Sequence, residues 1–83
     1  MASTARVRAR AALRQLIADK GWSISHFARE MGVSQPSASG WVTGGSRPDA
    51  HLRLKIERLY GIKADWWMTD AEYRSAFGHT RAA

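Results

Sequence analysis

Gln35, Ser37, Ser39 and Thr43 fall within one nine-residue stretch, QPSASGWVT. An amide that donates and accepts, followed by three hydroxyls, equips a surface for hydrogen-bond recognition. A helix face selected for solubility alone would carry Glu, Lys and Arg instead. Small polar side chains, with Gly40 among them and Trp41 anchoring the end, suit a partner that is flat, polar and close. The edges of DNA bases are such a partner. The bland alternative is a polar helix face exposed to solvent and nothing more. Gly40 leaves two readings open. Glycine inside a helix costs about 1 kcal/mol relative to alanine, and either close approach to DNA or relief of a clash between helices would account for it.

Other chemistries find little support. His26, His51 and His79 share no metal-ligand spacing and have no acidic pair beside them, so they read as surface histidines. No metal and no cofactor is expected. There is no glycine-rich phosphate loop after a strand, no Ser-His-Asp set and no paired carboxylates, so no enzymatic activity is expected. Cysteine is absent, which excludes disulfides and cysteine zinc sites and points to a reducing, cytoplasmic compartment.

The elements that must position this stretch read as helices throughout, and an all-α fold is expected. The 83 residues suffice for one domain spanning 1–83, and 45% hydrophobic residues suit a small core. Thirteen basic against seven acidic residues leave a net charge of +6, which favours nucleic acid or another anionic surface. No apolar run approaches the roughly 20 residues that cross a bilayer. The opening MASTARVRARAALRQL lacks the apolar segment of a signal peptide.

A first helix is expected from Thr4 or Ala5 to Lys20, with Leu13, Leu16 and Ile17 as its stripe, Val7 extending it and Gly21 as its stop. Arg6, Arg8, Arg10 and Arg14 crowd its beginning without an acid, as a solvated basic face or as phosphate contacts. Ser23 caps a second helix, Ile24 to Met31, and Gly32 ends it. Ser34 caps a third, to about Thr43, with Pro36 in its first turn and Ala38 and Trp41 facing inward. Gly44 to Pro48 is a loop. Asp49 caps a fourth helix, Ala50 to Tyr60, with Leu52, Ile56 and Leu59 inward. Ile62 to Met68 is expected as a short fifth helix. Thr69 to Glu72 is a capping box that starts an extra helix over 69–77, and 78–83 is expected to fray.

Two helices joined by a tight turn cross steeply only where their backbones come close. Ala28 supplies the small residue, and Gly32 the positive φ of the turn. Phe27, Met31, Val33, Ala38 and Trp41 supply the anchors. Together these residues resemble the helix-turn-helix domains of phage Cro and lambda-repressor-like regulators. The likeness runs from about Leu13 to Met68. It includes Gly21-Trp22-Ser23, Phe27-Ala28, Met31-Gly32-Val33-Ser34, Trp41, Gly44, Arg47-Pro48, Ile56 to Ile62 and Trp67-Met68.

The resemblance implies a compact domain of five to six helices, core 5–68, that binds double-stranded operator DNA, usually as a homodimer, and acts as a phage- or mobile-element-type repressor. It implies that the third helix enters the major groove. Gln35 then leads base readout, with Ser37, Ser39 and Thr43 beside it and Gly40 allowing a deep approach. It also implies phosphate contacts from Ser23, Ser46, Arg47, Arg14 and Lys20. Ile24 stands where many members carry Gln, and the recognition face lacks Arg, Lys and Asn.

Trp66, Tyr73 and Phe77 have two readings: extra core folded over the fifth helix, or the seam of a homodimer. Trp67 and Met68 are expected to close the core against Ile62 and Leu59. Two rivals remain beside the regulator. One is an antitoxin or anti-repressor that holds a protein partner, a toxin or a repressor, through the aromatic tail. The other is a charge-driven, non-specific binder of DNA or of membrane surfaces.

Overall fold

Helix ends in this chain are set by local chemistry, and the computed structural model, which describes residues 7–77, follows it closely. Ser23 Oγ accepts the His26 N–H at the start of α2 (Ile24–Met31). Ser34 Oγ does the same for Ser37 at the start of α3 (Gln35–Thr43). Each bond satisfies one of the donors that a helix N-terminus leaves unpaired. Gly32 adopts φ 73° at the end of α2, and Val33 N–H returns to Ala28 O. That left-handed turn is where an L side chain would be strained. α4 (Ala50–Tyr60) has the expected bounds, although the Asp49 carboxylate makes no capping bond.

The ends of the chain depart from expectation. α1 spans Arg8–Lys20, later than Thr4 or Ala5. Val7 is extended, is buried and bridges backbone to backbone with Thr69. Residues 1–6 and 78–83, with Arg6, His79 and the expected fraying, lie outside the described residues. The fifth helix is shorter than Ile62 to Met68: a 3-10 turn covers Ala64–Trp67, and Ile62 is buried before it. Its start is held by the Glu57 carboxylate, which accepts the Ala64 N–H. The capping box forms reciprocally. Thr69 N–H reaches Glu72 Oε1 and Glu72 N–H reaches Thr69 Oγ1, opening α5 (Asp70–Phe77).

The core gathers Leu13 and Ile17 from α1, Phe27, Ala28 and Met31 from α2, and Ala38 and Trp41 from α3. Ile56, Ile62 and Trp67 close it from the other side. Leu59 is corrected: it is 53% exposed, and Tyr60 turns inward instead. One residue is about 100° of helix, so α4 faces Phe27 with Ile56 and Tyr60, and Leu59 rotates out. The rings of Tyr60 and Phe27 lie 6.1 Å apart, and Phe27 meets Trp41 edge-on at 6.3 Å. This aromatic contact locks α2, α3 and α4 together.

Candidate nucleic-acid interface

The side of α3 opposite Ala38 and Trp41 carries the polar stretch. Gln35, Ser37 and Thr43 are exposed, and Ser39 and Gly40 are half-buried. Gln35 makes no hydrogen bond with the described residues, so both ends of its amide are available. Ser37 accepts from the Ser34 hydroxyl at 2.9 Å and keeps its own proton to donate. Thr43 donates to the Ser39 carbonyl at 2.9 Å, which leaves its oxygen as an acceptor only. The face therefore presents donors at its beginning and acceptors near its end.

The last turn of α3 is held from outside. Helix C-termini leave carbonyls unpaired, and here α1 supplies the donors. Arg10 Nη1 donates to Gly40 O at 3.2 Å, Trp41 O at 2.8 Å and Ser46 O at 2.9 Å. Arg14 Nη1 donates to Val42 O at 3.0 Å. Backbone N–H groups of Gly44 and Ser46 also reach Gly40 O. Burial lowers the Arg10 pKa, and the nearby Arg47 and Arg14 charges lower it further. These cations sit where the helix dipole favours them. The loop also bears on Gly40, because a Cβ there would strike the Ser46 hydroxyl.

The five residues expected at phosphates fall into two groups. Ser23 and Ser46 are exposed near opposite ends of the α2–α3 unit, and Lys20 lies over the Trp22 ring at 5.3 Å. Arg14 and Arg47 have internal partners. Arg47 turns towards α5, where it pairs with both Glu72 oxygens at 2.6 and 3.1 Å and donates to Trp67 O. Its hydrogen bonds hold the Glu72 carboxyl at about 2, well below the usual carboxylate range, with the Thr69 N–H assisting. The same partner raises the Arg47 pKa.

The aromatic tail divides similarly. Trp66 is half-buried, with the Arg8 guanidinium 3.9 Å from its ring centre. The Tyr73 and Phe77 rings lie 4.7 Å apart, tilted by 53°, and are 48% and 49% exposed. His26 lies against Trp22 and 3.4 Å from Glu30, whereas His51 is exposed on α4. Among the described residues no cluster of His, Cys, Asp or Glu is arranged to hold a metal. No described helix is long and apolar enough to cross a membrane.

Ala28 of α2 is buried in the core, and α3 carries an open polar face. The helix-turn-helix family model matches residues 13–67. The chain belongs to the helix-turn-helix family. That family, of the Cro/C1 type, comprises DNA-binding regulators. No curated protein and no solved structure matched the chain. In helix-turn-helix terms α2 and α3 form the motif, and Ile24 packs against the core where a polar brace is common. Arg10 and Glu72 lie outside the matched span. Sequence reasoning gave Glu72 its capping role but not its pairing with Arg47, and left Arg10 between a solvated face and a phosphate contact. The available signal for Arg10 was its spacing: Arg10 and Arg14, four apart, share one helix face with no acid to pair.

Proposed function

We propose that the chain is a sequence-selective regulator that binds operator DNA as a homodimer, with α3 in the major groove, and represses genes of a phage or mobile element. The observation that carries this reading is the exposed Gln35 amide, unpaired at the start of a helix whose other side is buried in the core. A Gln side chain can bond adenine N6 and N7 together, which discriminates by roughly 1–3 kcal/mol against a wrong base. Ser37 and Ser39 add donors beside it, and Thr43 adds an acceptor. Ser23, Ser46 and Lys20, with the free N–H groups that open α2, are suited to phosphates on either side.

Arg14 and Arg47 have a different part in this proposal. Their guanidinium groups hold α3 and α5 in place, and either would have to release a partner to reach a phosphate with the same nitrogen. With few cations on the face itself, part of the specificity comes from DNA shape.

Selection of bound fragments from the source genome at physiological salt tests the proposal. A recurrent pseudo-palindromic site is the expected result. Gln35→Ala should then cut the preference for that site over scrambled DNA by about 1–3 kcal/mol, with little change in scrambled binding. Equal affinity for random and selected DNA in the unaltered chain would overturn the reading.

A further inference from the structure

We infer that Arg10 is a positioning residue for DNA recognition: it holds the last turn of α3 and the following loop in the geometry that meets the duplex. The functional part of this inference rests on the DNA reading above; the structural part does not.

One guanidinium nitrogen gathers carbonyls from two segments, Gly40 and Trp41 at the end of α3 and Ser46 beyond it. The three acceptors lie 30, 31 and 36 residues away along the chain. No other described side chain joins α3 to the 44–46 loop in this way. The residues so fixed include Ser46 and the helix turn carrying Ser39 and Thr43, all proposed to face DNA. The Arg10 side chain is half-buried and has no carboxylate partner among the described residues. Two further guanidinium groups, of Arg14 and Arg47, stand near enough to disfavour its charge. A cation in such surroundings costs stability unless the carbonyls compensate it, and three of them do.

Arg10 also lies upstream of the family match, which starts at Leu13. The tie therefore reaches into the matched helix-turn-helix from a residue outside it, in the first turn of α1. The competing role for Arg10 is a direct phosphate contact, through the groove of about 690 Å³ that it lines with Arg8, Arg14 and Thr43. The two roles differ in what they do to salt dependence. A phosphate contact releases counterions, and its loss lowers the slope of log affinity against log salt by about 0.9. A positioning residue leaves that slope alone.

The test compares the unaltered chain with Arg10→Met, which keeps side-chain length and removes the donors. Amide hydrogen exchange in the free protein is expected to quicken at Gly44 and Ser46, whose N–H groups bond Gly40 O, while Leu13, Phe27 and Ile56 stay protected. Affinity for the selected operator should fall roughly tenfold or more, the scale of one lost base contact. Scrambled-DNA affinity should fall much less than operator affinity, through Ser46 alone, and the salt slope should stay as it was because Ser46 carries no charge.

Unchanged exchange at Gly44 and Ser46, or a lower slope with equal loss on both DNAs, would overturn the inference. Should Arg10→Met fail to fold, as lost protection at Ile56 would reveal, Arg10→Lys keeps the charge on a shorter arm without the guanidinium fork. Faster exchange at the same two amides is expected there, and full rescue of operator binding would count against positioning. A chain that binds no sequence preferentially would overturn the DNA reading, while the exchange data would still decide whether Arg10 holds the turn.

Discussion

A methyl group at position 40 would meet the Ser46 hydroxyl, and the next neighbours, Ser46 Cβ and N, lie at an ordinary 3.5 Å. A serine side chain can turn to another staggered position, so packing alone does not demand glycine here. Gly40→Ala is expected to melt at or slightly above the unaltered temperature, since alanine favours helix by up to about 1 kcal/mol. Operator affinity is expected to fall, because the methyl displaces a hydroxyl proposed to meet phosphate. A clear loss of thermal stability would assign Gly40 to internal packing instead. The same scale separates Gln35 from Arg47. Both are polar side chains near the motif, yet one amide is unpaired and one guanidinium is bound twice to Glu72. Residue type does not distinguish them; surroundings do.

Helix α5 contributes no buried residue, so its attachment depends on few contacts. Glu72 makes two of them, through Arg47 and through the capping box with Thr69. The Glu72 pKa falls from 4.5 to about 2 on folding. A depressed folded value means that the carboxylate form stabilises the fold. That contribution is complete above the unfolded value of 4.5 and fades as the pH falls through about 2. Protection of the Tyr73 and Arg74 amides should therefore be flat at neutral pH and decline in acid over that range. Glu72→Gln should lower their protection already at pH 7 and remove most of the acid dependence. An acid profile identical in the two proteins would show that another group holds α5.

The whole molecule is strongly basic, with a net charge of +6 on 83 residues. Its binding to DNA should weaken steeply with salt as cations displace counterions. One domain of this size covers about one half-site, and single modules seldom hold DNA tightly. The proposed homodimer would set two α3 helices about 34–36 Å apart, one turn of the duplex. Tyr73 and Phe77, half-exposed and in tilted ring contact, offer an aromatic seam for it. Tyr73→Glu is expected to shift sedimentation towards the monomer and to weaken operator binding by at least tenfold, with Gln35-dependent discrimination retained within each half-site. A dimer undisturbed by this change would place the seam elsewhere, with the half-exposed Leu54 and Leu59 of α4 as the next apolar candidates.

Three helices, Ile24–Met31, Gln35–Thr43 and Ala50–Tyr60, were legible in the sequence, because caps and glycine turns act within a few positions of themselves. The inward Ala38 and Trp41 and the outward Gln35 were legible too, since a helix converts spacing directly into faces. What escaped was every tie between distant positions: Arg10 to Gly40, Arg47 to Glu72, Val7 to Thr69, and the rotation that hides Tyr60 and exposes Leu59. An arginine carries the same charge whether it meets solvent, phosphate or a carbonyl. Only the folded chain decides which of these stands within hydrogen-bond reach.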